Sequence, residues 1–313
     1  MKQAHRPSHR PHSRFGSVLL ALALLVLLLP GWAAAQARAS EDRAALQQRY
    51  ERLRPQMEKS AFGRPLLLES TQSESQVQGD VYARLDQPFD TLREALAKPE
   101  SWCAIFILHL NNKYCGVAQD GGRPQLVVKV GKKEFQELSS TFTMKMGFIP
   151  VASERDYLEV RMDAPHGPLG TENYRMMLAA IPVGPNQSFM HMRYSHSFGR
   201  LGKMAMDAYL STAGRNKIGF TRTGVDGEGK PEYVQGFRGA VERNAMRYYL
   251  AADAFLMALS QPPDKRTEYA LKRWFDSTEQ FAPQLHEISR ADYLDMKRRE
   301  ITRARETPAE TVE

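Results

Sequence analysis

The stretch from Phe142 to Ser260 restricts this chain most, because a series of period-two apolar segments runs into one long apolar helix. Phe142, Met144, Met146 and Phe148 alternate with Thr141, Thr143 and Lys145, and Leu158, Val160 and Met162 alternate with Tyr157, Glu159 and Arg161. Pro165-His166-Gly167-Pro168 marks a turn. Tyr174, Met176 and Leu178 then line one face of a strand, and Phe189 to Ser197 closes the series after a second turn at Pro182, Gly184 and Pro185. Strands spaced by turn signals predict an antiparallel meander. A helix over Leu201 to Thr212 and a glycine-rich, hairpin-like segment to Gly239 follow. The helix Ala240 to Ser260 ends at Pro262-Pro263, which no helix interior tolerates.

Upstream, Val77, Gly79, Val81, Ala83 and Leu85 alternate with polar residues in a half-buried strand that Pro88 stops. Asp90 caps a short helix through Leu92 and Leu96. Pro99 opens a second, with Trp102, Ile105 and Phe106, interrupted at Asn111-Asn112. Leu126 to Val130 reads as a short strand. Near the start, a helix from Ser40 carries Leu46, Tyr50 and Leu53 on one side and is predicted to end or kink at Pro55, with Leu68 to Gln76 as a connector. Two amphipathic segments finish the chain, one with Leu271, Trp274, Phe275 and Phe281, the other from Ser289 with Tyr293 and Leu294; only the last ten residues read as disordered.

The first fourteen residues carry Lys2, Arg6, Arg10 and Arg14 and no acid. An apolar block from Val18 to Leu29 follows, then Ala33-Ala34-Ala35. This is the pattern of a cleavable signal peptide cut near Ala35, with a periplasmic or secreted mature protein; an uncleaved anchor over Phe15 to Ala35 is the alternative. Removing residues 1–35 takes four of the seven net positive charges and leaves +3, too little for a nucleic-acid footprint. Cys103 and Cys115 are the only cysteines. In an exported chain they are expected as a disulfide, since a redox or metal pair wants closer spacing or neighbouring ligands.

The element order is strand, two short helices (Asp90-Thr-Leu-Arg-Glu-Ala-Leu and Pro99-Glu-Ser-Trp-Cys), antiparallel strands and one long helix. It resembles the START-like (SRPBCC) superfamily, to which polyketide-cyclase-like proteins belong. The resemblance covers roughly residues 76–261, with an insertion at 201–239. It implies an α+β helix-grip fold, a curved antiparallel sheet wrapped around the long helix, here with a helix and connector before it (36–75) and a helical extension after it (262–313). It also implies a cavity for lipids, sterols, polyketides or hormones, and in some members cyclase or aromatase activity.

The strand faces are rich in methionine: Met144, Met146, Met162, Met176, Met190 and Met192 fall at period-two positions. Methionine suits a wall that accommodates varied apolar ligands, although any one of these is equally a core residue. On the strand ending His191-Met192-Arg193-Tyr194-Ser195-His196, Met190, Met192, Tyr194 and His196 share a face, so His191 and His196 cannot ligate a metal together. No metal or cofactor motif occurs elsewhere. Arg243 and Arg247, near the start of the long helix, oppose its dipole and need an offset, either an acidic ligand head or nearby carboxylates. His109 reads as a helix C-terminal contact. The candidate ligand-binding residues are therefore Phe142, Met144, Met146, Met176, Met190, Met192, Tyr194, His196, Arg243 and Tyr248. The leading expectation is a carrier for an apolar or lipid-like small molecule, gated by the short helices near Trp102. The alternatives are a cyclase- or hydrolase-type enzyme using His196, Tyr194 and Arg243, and an envelope scaffold without a ligand. Peripheral membrane contact through Lys297, Arg298, Arg299, Arg303 and Arg305 stays open beside a solvated face, and nothing in the sequence speaks to oligomeric state.

Overall fold

A computed structural model describes Met1 and residues 29–212 and 214–311. Two compact units are present, Met1–Ala45 and Leu46–Glu313. The basic and apolar parts expected of a signal peptide, residues 2–28, lie outside the described residues. Ala33 to Ala35 fall within helix α1 (Leu29–Glu58), and no described helix is long and apolar enough to cross a membrane. Leu46, Tyr50 and Leu53 are buried as the periodicity requires. The helix does not stop at Pro55: Met57, two residues beyond it, is also buried, so packing carries one more turn past the lost hydrogen bond.

The second unit is built on an eight-stranded antiparallel sheet in the order β1-β2-β8-β7-β6-β5-β4-β3. Its strands are β1 (Leu66–Gln72), β2 (Gln76–Leu85), β3 (Asn112–Asp120), β4 (Arg123–Val130), β5 (Phe142–Ser153), β6 (Leu158–His166), β7 (Thr171–Gly184) and β8 (Gln187–Phe198). Helices α2 (Phe89–Leu96) and α3 (Pro99–Phe106) connect β2 to β3. After β8 come α4 (Arg200–Ser211), a two-stranded hairpin of β9 (Arg222–Val225) and β10 (Pro231–Tyr233), and the long helix α5 (Gly236–Ala258). This is the helix-grip arrangement.

Two strands escape the sequence pattern. The segment expected as a connector from Leu68 is largely β1, an edge strand whose Glu69 and Thr71 are exposed and whose Ser70 donates to Glu242 and accepts from Arg238 of α5, while its register holds along β2. The segment after Asn111-Asn112 is β3, whose alternation is broken by a register shift between Asn112 and Tyr114.

The helix and the sheet approach closely where side chains are smallest. A Cβ on Gly79 of β2 would lie 3.0 Å from Ala245 Cβ and 3.4 Å from Val241 O of α5, so only glycine fits there without displacing the helix. Cys103 of α3 and Cys115 of β3 form a disulfide with Cα atoms 5.0 Å apart. Its loop of 12 residues is short. Replacing both cysteines with alanine is therefore expected to lower the unfolding free energy by about 2–3 kcal/mol in urea titrations, compared with the oxidised protein.

Helices α6 (Pro263–Glu279), α7 (Ala282–Leu285) and α8 (Arg290–Glu306) pack into the same unit. Trp274 Nε1 donates to Arg247 O at 3.1 Å, and its ring stacks 4.9 Å from that of Tyr293. The Tyr293 hydroxyl donates to Leu108 O. The basic residues of α8 divide: Arg298, Arg299 and Arg305 are exposed, whereas Lys297 and Arg303 turn inward. Lys297 is fully buried and bonds His109 O, Asn112 O and Glu300; Arg298 pairs with Glu268, Arg299 lies over the Phe135 ring, and Arg303 donates to Gln136 O. Glu300 also pairs with Lys113 of β3 at 3.1 Å, all three side chains having no exposed surface. The end of the chain is ordered to Thr311 rather than disordered: Tyr114 donates to Thr307 O, Arg303 to Lys113 O, and Ala309 is buried beside Gly116, so this segment covers β3 at the sheet edge.

Candidate functional site

The inner sheet face follows from the two-residue period of the strands. Met190, Met192, Tyr194, His196 and Phe198 of β8 look towards α5, flanked by β7 and β2: Tyr194 pairs with Met176 and Gly79, and Met192 with Leu178 and Val81. Met144, Met146, Met162, Met176, Met190 and Met192 are all buried, none more than 5% exposed. Phe142 departs from this wall. It opens β5, pairs with Val130, and is 36% exposed.

At one end the wall becomes polar and aromatic. The Tyr174 and His196 rings stack at 5.0 Å; Tyr194 lies 5.4 Å from Tyr248 of α5; and Tyr248 stacks on His109 at 4.7 Å and meets Phe106 at 5.5 Å. Each ring has a local reason to be there. Gly167, from the predicted Pro-His-Gly-Pro turn, lies under Tyr174, where a Cβ would fall 2.0 Å from the ring. Tyr174 bonds Thr171 Oγ1 at 2.9 Å. Asn244, one turn before Tyr248 on α5, acts on both Tyr194 and His109, and Asn112 acts on Tyr248.

Burial sets the charge state of this group. It pushes His196 down to about 4 and His109 well below the usual imidazole range, where Arg247 and Lys297 depress it further. Burial also raises Tyr248 to about 12 and Tyr194 well above its ordinary value. At neutral pH the cluster is therefore three phenols, two neutral imidazoles and an amide, with no net charge. His109 is more than a helix-end contact: its Nδ1 accepts from the Asn111 N–H, leaving Nε2 buried without a hydrogen bond of normal length. His196 Nδ1 is likewise buried without a hydrogen bond of normal length. Tyr174, Tyr194, His196 and Tyr248 keep 6–8% of their surface accessible, whereas Met190 and Met192 keep at most 1%.

Arg243 does not join this group. Its Nη1 donates to Ile218 O in the insertion at 3.1 Å, and Arg247 pairs with Glu287 at 2.8 Å. The offset these two arginines need comes from the chain itself. Trp102, on the second of the short helices, is fully buried and its Nε1 donates to Leu96 O at 2.8 Å. Among the described residues no group of three His, Cys, Asp or Glu side chains is placed to hold a metal ion.

No family model and no curated protein matches the chain. Among solved structures it is similar to norcoclaurine synthase from Thalictrum flavum, with 16% identity over 46% of this chain and 90% of that one and a TM-score of 0.33. It is also similar to an aromatase/cyclase from Streptomyces sp. R1128, with 12% identity over 45% and 86% and a TM-score of 0.31. A conserved protein from Enterococcus faecalis has 10% identity over 76% and 91% and a TM-score of 0.30. Likenesses this low carry no argument about chemistry. The strand order, the two helices between β2 and β3, and α5 against the sheet decide the fold. The chain has the helix-grip fold. Within it, sequence reasoning found Tyr194, His196 and Tyr248 but missed Asn244 and His109. An asparagine inside an otherwise apolar helix face was the available signal for the first.

Proposed function

We propose that this chain is an exported binding or carrier protein for a small, neutral, largely apolar molecule held between the inner sheet face and α5. The observation that carries the reading is the polar end of the methionine wall, where His196 Nδ1 and His109 Nε2 are buried without a hydrogen bond of normal length, Asn244 lying beside His109. Buried polar atoms cost about 1–3 kcal/mol each when unpaired, so a ligand with one or two hydrogen-bonding groups would recover that loss. The uncharged state of the cluster favours a neutral ligand over an acid. The leader-like N-terminus and the Cys103–Cys115 disulfide support export to a periplasmic or extracellular compartment. Native mass spectrometry of protein purified without detergent is the test. A one-to-one adduct, or uptake from a panel of neutral apolar compounds, is expected, and Met192→Trp should reduce it at least tenfold by filling the wall. Protein that stays empty, with unchanged stability in the presence of the panel, would favour a closed scaffold.

A catalytic reading keeps one observation in its favour: Tyr194 and His196 face inward together, with ring centroids 6.0 Å apart. Against it, an imidazole held at about 4 is a weak base at neutral pH, and Arg243 is too committed elsewhere to stabilise charge. Turnover that vanishes in His196→Ala while ligand binding persists would revive it.

A further inference from the structure

A separate cavity of about 240 Å³ lies on the helical side of the molecule, bounded by α3 and the residues after it, the C-terminal end of α5, and helices α6 and α8. It reaches Ala258, ten residues beyond Tyr248 and so about 15 Å further along α5, and it is also lined by Ile107 and Leu108, next to His109 in sequence. Ile107, Phe255, Leu259 and Ile301 give it apolar walls. Arg266 and Arg305 also line it. Arg266 is held in place by donating to Leu259 O and Gln261 O, which offsets the negative end of the α5 dipole. Neither arginine forms an ion pair with a carboxylate among the described residues.

Apolar walls joined by two cations without a counter-charge suit an amphiphile rather than a neutral molecule. The volume is below the ~300–1,000 Å³ of drug-sized sites and leaves room for one short chain, not for a two-chain lipid. Guanidinium favours planar oxyanions, which it binds with two parallel hydrogen bonds. We propose that this cavity binds a single-chain aliphatic carboxylate, its tail against Phe255 and Ile301 and its carboxylate at Arg305 and Arg266. The site does not rest on the interior reading, and either can stand without the other.

Titration calorimetry of the purified, detergent-free protein with octanoate, with octanol as the neutral-headed control, tests it. One octanoate per chain is expected. Arg305→Gln should weaken octanoate about tenfold and leave octanol unchanged. Ala104→Trp, at an exposed position on the cavity margin where the fold is not at risk, should remove octanoate binding while unfolding in urea stays unchanged. Met192→Trp should leave it intact. The proposal is overturned if octanoate gives no saturable binding to millimolar concentration, if octanol binds as tightly as octanoate, or if binding survives Ala104→Trp and is lost in Met192→Trp.

Discussion

Replacing Glu300 with alanine will destabilise the protein by about 3–5 kcal/mol at pH 7, read as a fall in the urea midpoint with an unchanged slope. Glu300 lies between Lys113 and Lys297, at 3.1 and 2.8 Å, and none of the three side chains reaches solvent. Its removal leaves two ammonium groups facing each other in the interior with only backbone carbonyls and a thioether as partners. Changing all three residues to methionine is expected to recover most of the loss, because the penalty arises from uncompensated charge and not from missing volume. The pH dependence has a definite sign. Burial is the main cause that holds Lys297 at about 8 against an unfolded value of 10.5, partly countered by Glu300. The folded state therefore binds fewer protons between those two values, and the contribution of Lys297 to stability rises with pH from about 8 to about 10.5. Without Glu300 that rise should begin at lower pH. A urea midpoint for the alanine variant within about 0.2 M of the parent would sink the account.

Glu287→Gln is expected to cost about 3 kcal/mol and to change the acid limb of the stability curve. This carboxylate, in the loop before α8, gathers Lys133, Lys217 and Arg247 at 2.6, 2.8 and 2.8 Å. Burial alone would raise its pKa, but the cations, Arg247 foremost, bring it down to about 2. A carboxylate depressed in the fold contributes stability that is complete above its unfolded value of 4.5 and is lost as pH falls through about 2. Lys133 and Lys217 keep 30% and 27% of their side-chain surface in water, so screening places the cost at the low end of the range for buried pairs. In the glutamine variant the difference from the parent should shrink steadily between pH 4.5 and 2. A difference that stays constant over that interval would show that Glu287 acts through packing.

The same residue explains what the sequence left open about Arg247 of α5. Arg247 needed a counter-charge, and nothing in its own helix says that it comes from a loop forty residues away in sequence. Local pattern did reach the sheet interior: period two placed Met190, Met192, Tyr194 and His196 on one face because a single strand determines that by geometry. It failed at β1 and β3, the two edges, where each strand pairs with a neighbour on one side only and alternation is weak. It also failed for His109, whose surroundings are assembled from α5, β3 and α8. Those are long-range contacts that no spacing records. The helical cavity was invisible for the same reason, since its walls come from four separate helical regions.

The covering of β3 has a consequence for the order of events during synthesis. Lys113 meets Met296 at a sequence separation of 183, and Tyr114 meets Thr307 at a separation of 193. Until α8 has been made, the edge strand stands open and Lys113, destined for the interior, lacks the carboxylate that it shares with Lys297. Non-local closure of this kind slows folding, and an unpaired edge exposes the nascent chain to association with others. Closure of the β3 edge thus waits on α8 and the segment that follows it, the part of the sheet's covering made after every strand it protects.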